Sequence, residues 1–273
     1  MAQVDNRQPL TIFHTNDFHN RLSATGAETI FRRMRETPEP KLLLDAGDAG
    51  GSSNLTFRNE GEPILEEMSR LGYDAMTVGN RDFHVSRMGF RAKLFRAKFP
   101  ILCANVRSTN PAAASTIEDD ERPLAGALTQ GEAELRSYVC PTVGDWTVLI
   151  VGLTVPMVTP RMWERKLSAY VFDPAISTAA RLIPLLRGRL KPNLIIALTH
   201  IGLRSDREVA AAVPEIDLIV GGHSHELLVE GERVGETLIV QAGSHGRHIG
   251  VVTADLSDDS SLRPRLTARV ETL

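Results

Sequence analysis

Side chains able to bind a metal ion stand where short apolar runs stop. The run at 10–13 leads into Asp17 and His19, 42–44 into Asp48, 75–78 into Asn80, 194–198 into His200, and 216–220 into His223 and His225. These residues offer four imidazoles, two carboxylates and one amide oxygen. Imidazole mixed with oxygen donors suits a centre of two divalent cations in which one carboxylate bridges. Asp48 is the expected bridge, because it follows Gly47 in a tight turn. Two dications against two aspartates leave the site positive, which suits a phosphate dianion. Such ions sit roughly 3.5–4 Å apart and acidify a water that can attack phosphorus in line near neutral pH.

Taken singly, most of these signals are weak. Asp-Xaa-His is common in turns, and a lone Gly-Asp says less still. Asp45 reads as a turn hydrogen-bonder and His14 as a packed strand-end residue. His223-Ser224-His225 after Gly221-Gly222 is stronger, since two imidazoles on one tight turn suit little besides a metal. The conjunction of five strand ends carries the argument.

The elements that must position these residues follow from the same runs. Each run is short and lacks polar alternation, the pattern of a strand buried on both faces. Pro63 opens a helix that Gly72 stops. Ser205-Asp206-Arg207-Glu208 forms a capping-box pattern ahead of the apolar residues to Val213, with Pro214 closing. Asp173-Pro174 opens a further helix toward Arg189, and Pro184 is expected to kink it. Alternating strand and helix predicts an α/β domain with a largely parallel central sheet, whose ligands meet in a crevice beyond the carboxyl strand ends. Residues 107–134 read as a surface excursion. Residues 155–170, with Trp163 and Tyr170, can overhang the site. The stretches 238–240, 249–256 and 265–270 read as strands.

Composition bounds the class. Of 273 residues, 42% are apolar and 24% charged, ordinary for one globular domain spanning 1–273. A net charge of −3 leaves no basic footprint for a nucleic-acid polymer. No apolar leader or spanning run is visible, so a cytoplasmic location and no membrane partner are expected. Cys103 and Cys140 make no disulfide framework, and Cys103 reads as a small core residue. Nothing fixes the oligomeric state.

The motifs HTNDFHN (14–20), LLLDAGD (42–48), GN (79–80), LTHIG (198–202), GGHSH (221–225) and VQAGSHGRHIG (240–250) occur in this order. In that order they resemble the calcineurin-like metallophosphoesterases of the 5′-nucleotidase branch. The resemblance implies a four-layer α/β/β/α sandwich with two mixed sheets. It implies that Asp17, His19, Asp48 and His225 hold one metal, and that Asp48, Asn80, His200 and His223 hold the other. Manganese, zinc, iron or cobalt all suit those donors. The implied activity is hydrolysis of a small phosphate ester, a nucleoside monophosphate being the leading expectation. A cyclic-nucleotide phosphodiesterase and a non-catalytic metal-bound scaffold are the alternatives.

The resemblance breaks at the third motif. The family has GNHE followed by Phe-Asp, whereas this chain reads Gly79-Asn80-Arg81-Asp82-Phe83-His84. Arginine stands in place of the catalytic histidine, and histidine in place of its aspartate partner. A guanidinium does not donate protons near neutral pH, but it clamps phosphate oxygens. The expectation is that Arg81 stabilises charge and His84 assists the leaving group; the plain alternative is a degenerate surface loop. Members of this branch also carry a carboxy-terminal domain that grips the nucleoside, and this chain ends at Leu273, just past the last motif. Base recognition would then fall to Trp163, Tyr170, the 107–134 stretch or a partner. Packing is the simpler reading of the two aromatics. His245 and Arg247 sit in a turn beside the site, without an assigned role.

Overall fold

The computed structural model describes residues 8–109, 135–256 and 263–273. The chain begins with β1 (Leu10–Thr15), α1 (Ala24–Glu36), β2 (Lys41–Asp45), α2 (Pro63–Leu71), β3 (Ala75–Thr77) and α3 (Arg87–Leu94). Next come β4 (Ile101–Leu102), β5 (Val106–Ser108), β6 (Leu135–Arg136), β7 (Tyr138–Val139), β8 (Thr142–Val143) and β9 (Trp146–Thr154). Then follow β10 (Tyr170–Phe172), α4 (Ala175–Leu190), β11 (Leu194–His200), α5 (Leu203–Ala212) and β12 (Leu218–Val220). The last strands are β13 (Glu232–Val234), β14 (Thr237–Val240), β15 (His248–Asp255) and β16 (Arg265–Thr272).

The five ligand-bearing runs do not share one sheet. The first sheet has the order β16-β15-β1-β2-β3-β4-β6, parallel from β1 to β6 and antiparallel at β15 and β16. The second has the order β13-β14-β12-β11-β9-β7, parallel from β14 to β9, with β13, β7 and the added β8 antiparallel. The chain crosses from the first to the second at Ser137 and returns to the first between β14 and β15. A single parallel sheet, as the residue pattern alone suggests, is therefore corrected to two mixed sheets, as the resemblance implies. The reason lies in what the strands bury. Leu42 and Leu44 pack in one core with Ile196 and Leu198, while Leu43 joins the core under α1 and α2 and Ile195 and Ala197 join that under α4 and α5. Alternate residues thus feed alternate cores, and each strand reads as continuously apolar. The result is four layers: helices, sheet, sheet, helices. Each fully buried leucine contributes about 1.5–3 kcal/mol to this stack.

Most local expectations hold. Pro63 opens α2, and Gly72 closes it in the left-handed region at φ 84°. Pro184 lies inside α4. The three tail strands form as β14, β15 and β16. The capping box does not: α5 begins at Leu203, two residues before Ser205, and Leu203 N donates instead to Ser224 Oγ at 3.1 Å. Asp206 still falls in the first turn of α5, but buried. Tyr170 packs edge-on against Phe83 and Phe90 in the core, whereas Trp163 stands in a short 3₁₀ turn and is 67% exposed. Of the 107–134 stretch, residues 107 and 108 belong to β5, and 110–134 lie outside the described residues. Cys103 is buried and Cys140 half-buried, both unpaired. No described helix is long and apolar enough to cross a membrane.

Candidate metal centre

β1, β2 and β3 run parallel in one sheet, and β11 and β12 run parallel in the other. Their carboxyl ends meet at one edge of the sandwich, where all seven expected ligands converge. Asp17, His19 and His225 present donor atoms within 4.8 Å of one another, as do Asp17, Asp48 and His200. Asn80 Oδ1 lies 3.2 Å from His200 Nε2 and 2.9 Å from His223 Nδ1. Asp48 faces both groups, with Oδ1 3.5 Å from His200 Nε2 and Oδ2 4.0 Å from His19 Nε2.

The backbone at this edge is unusual. Asp17, His19, Asn20, Asp48, His223, His225 and His245 all have positive φ, between 49° and 77°, and Lys191 is the one other described non-glycine residue that does. Such a conformation costs roughly 1–2 kcal/mol per residue, and Asp, Asn and His tolerate it best. Strain concentrated this way marks a site that the surrounding fold holds in shape. Close approach adds a second constraint: a Cβ at Gly79 would stand 2.2 Å from both Asp48 N and Asp48 Oδ1. Only glycine lets the β2 and β3 loops touch there.

Polar groups behind the ligands fix the loops. Asp82, buried, accepts hydrogen bonds from Asp48 N (2.7 Å), Gly79 N (2.9 Å) and Gly50 N (3.0 Å). Lys93, also buried, donates through Nζ to Ser53 O (2.8 Å), Arg81 O (2.6 Å) and Phe83 O (3.0 Å). Glu62 accepts from Asn20 Nδ2 and Ser52 Oγ. Asn16 Nδ2 and His223 N both donate to Asp17 Oδ2, at 2.8 and 2.9 Å. On the second sheet, Asp206 accepts from Thr199 Oγ1 (2.6 Å) and Gln241 Nε2 (3.3 Å), and Gln241 Oε1 accepts from Ser224 Oγ and Glu226 N. The sequence reading assigned none of these supports. Asp82 carried a signal, two residues past Asn80 in the departing motif, and Gln241 another, inside the motif at 240–250; Asp206 was read only as part of a capping box, and Lys93 carried none.

The donors fit a cation. Asp17 Oδ1 is buried and accepts no hydrogen bond; the nitrogens facing it are His225 Nε2 at 3.1 Å and His19 Nε2 at 3.6 Å. His200 Nδ1 donates to Ala46 O at 2.7 Å, which turns Nε2 toward Asn80 and Asp48. Burial alone would depress the His200 imidazole, yet Asp48, Asp17 and the Ala46 carbonyl raise it to about 9. Positive charge is therefore favoured where that ring points. Burial holds His19 and His223 below the usual histidine range, which keeps their lone pairs available.

The two loop residues of the departing motif separate. Arg81 is exposed, its N–H donates to Asp48 Oδ1 at 2.6 Å, and its charge acts on His19. His84 is buried: Nδ1 accepts from Ser86 N at 3.0 Å, the ring meets Phe57 edge-on, and Nε2 has no hydrogen-bond partner. A Cβ on Gly89 would lie 2.3 Å from that ring, so α3 sits directly on it. Asp45 and His14 behave as read. Asp45 accepts from Gly47 N and Thr15 Oγ1, and His14 is packed against Gly250.

Two mixed sheets between helical layers, with imidazole, carboxylate and amide donors gathered at their carboxyl edge, define a metal-binding α/β/β/α phosphoesterase fold. The family model for calcineurin-like phosphoesterases matches residues 10–227, and the chain belongs to that family. The trifunctional nucleotide phosphoesterase protein YfkN of Bacillus subtilis (strain 168) is 33% identical over 267 residues, covering 89% of this chain and 18% of that protein. The Homo sapiens 5′-nucleotidase is 32% identical over 270 residues, covering 90% of this chain and 44% of that protein. The chain thus spans less than half the length of these curated relatives. Among solved structures, the 5′-nucleotidase precursor of Thermus thermophilus superposes with a TM-score of 0.70 at 23% identity, covering 97% of this chain and 55% of that one. The Bacillus subtilis YfkN phosphoesterase superposes with a TM-score of 0.69 at 20% identity, covering 97% of this chain and 90% of that one. These likenesses bear on the fold.

Proposed function

We propose that this protein hydrolyses a small phosphate monoester, a nucleoside monophosphate being the leading substrate, at a centre of two divalent ions. The observation that carries this reading is the placement of Asp48, whose two carboxylate oxygens face two separate donor groups. Asp17, His19, Asp48 and His225 would hold one ion, and Asp48, Asn80, His200 and His223 the other. Divalent ions bound there supply Lewis acidity toward phosphate oxygens and lower the pKa of water.

The chain's own residues supply the rest. Arg81 stands exposed beside His19, where its guanidinium can stabilise charge on the phosphate. His84 is assigned to the leaving group, through the Nε2 that has no hydrogen-bond partner. His84→Ala then lowers turnover by on the order of 10²–10⁴-fold. A packing role alone would leave turnover near wild type and lower the melting temperature instead.

The test is hydrolysis of chromogenic phosphate monoester and diester by protein reconstituted with manganese, with and without chelator. Monoester cleavage that chelator abolishes is the expected result. Diester cleavage alone would move the activity to phosphodiesters. Metal uptake without either activity would leave a metal-bound scaffold.

A further inference from the structure

Among the described residues, Lys93 is the one lysine or arginine that is buried. It sits in the last turn of α3, the helix that follows the departing third motif. Its three N–H donors are spent on main-chain carbonyls, those of Ser53, Arg81 and Phe83, at 2.8, 2.6 and 3.0 Å, and none on a carboxylate. An ammonium is costly to bury, and this one is satisfied only while two separate loops keep their present arrangement. One is the loop after β2, held through Ser53. The other is the loop after β3, held through Arg81 and Phe83. Val85 N donating to Asn54 O at 3.3 Å adds a longer tie between them.

His84 stands where those two loops meet. It follows Phe83 directly. Phe57, from the same loop as Ser53, meets its ring edge-on with centroids 5.1 Å apart, and a Cβ on Gly89 would lie 2.3 Å from Nδ1. Nδ1 accepts from Ser86 N at 3.0 Å, so the neutral ring carries its proton on Nε2, the atom without a hydrogen-bond partner. A shift of either loop would move that N–H. The metal ligands have anchors of their own: Asp48 N and Gly79 N donate to Asp82, and His223 N donates to Asp17.

We propose that Lys93 is a positioning residue for the leaving-group side of the reaction. By clamping the two loops it sets the His84 Nε2–H as a hydrogen-bond donor to the leaving oxygen, and metal binding does not depend on it. This rests on the proposed phosphoesterase reading and deepens it.

The test is the kinetics of manganese-loaded K93M, H84A and K93M/H84A on two monoesters. AMP has a poor alkoxide leaving group, and p-nitrophenyl phosphate a good phenolate. K93M is expected to lower kcat on AMP about 30-fold, and on p-nitrophenyl phosphate by less than about threefold. KM and metal content should stay within about twofold of wild type. In the H84A background, K93M should cost less than about threefold on AMP, because the two residues act as one unit. K93Q, which keeps two N–H donors, should recover part of the loss. Hydrogen exchange in K93M should quicken at residues 50–57 and 81–86 and stay unchanged elsewhere. Wild-type turnover of AMP by K93M, equal losses on both esters, losses that multiply with H84A, lost metal, or exchange raised along the whole chain would each overturn the assignment. Failure of wild type to cleave either ester would contradict the proposed function instead, and the exchange pattern would still decide whether Lys93 governs these two loops.

Discussion

The two sheets contribute unlike halves to one centre. The first supplies Asp17, His19, Asp48 and Asn80, mostly oxygen donors; the second supplies His200, His223 and His225, all imidazoles. Behind each half lies one buried aspartate, raised to about 7 first by burial. They hold their loops differently. Asp82 accepts three backbone N–H groups and so fixes the path of the chain itself. Asp206 accepts a threonine hydroxyl and a glutamine amide, and acts on the ligand loop through Gln241 and Ser224. An amide of the main chain cannot rotate away to find another partner, whereas a side chain can. The buried aspartate of the first half therefore grips the main chain directly, and that of the second half grips it only through side chains.

The largest effect is expected at the residue the halves share. Asp48→Ala should remove at least one metal per chain by elemental analysis. It should cost more than the roughly 10–100-fold in affinity typical of residues behind the ligands. If both ions remain, Asp48 does not join the halves. Next come the two supports. Asp82→Ala orphans three buried amides and should destabilise the chelated protein by about 3 kcal/mol or more in urea unfolding, and Asp206→Ala by about 1–2 kcal/mol. Equal losses would break the contrast between main-chain and side-chain anchoring.

The smallest effect lies at the opposite end of the strands. Asp74 accepts Leu43 N at 2.7 Å, and burial raises its carboxyl to about 6 without any metal ligand nearby. Its folded value exceeds the unfolded one, so its contribution is complete below about pH 4 and is lost as pH rises through about 6. Asp74 is solvent-exposed, so water screens much of that shift, and Asp74→Asn should remove no more than about 1 kcal/mol of that decline across this window. An unchanged pH profile in the variant would show that burial alone does not raise an acid in this fold.

What was legible in the sequence was local. A ligand following a run buried on both faces can be read because the run and the ligand are neighbours in the chain, as with Leu43 and Asp48 or Ile219 and His223. The division into two sheets was not legible from the residues, because a strand packed between two cores reads the same in either sheet. The supports escaped for a related reason. Lys93 and Asp206 look like exposed helical charges until distant loops, at Ser53 and Gln241, close over them. The capping box failed because the true partner of the α5 amino end, Ser224, lies 21 residues away. The left-handed turns left only a faint trace, in the choice of Asp, Asn and His where the backbone bends back.

The most direct test of the central claim is anomalous X-ray scattering from crystals soaked in manganese. Two peaks are expected, one ringed by Asp17, His19 and His225, the other by Asn80, His200 and His223, with Asp48 between them. A single peak, or none, in crystals whose solution counterpart is fully loaded would contradict a centre assembled from both sheets.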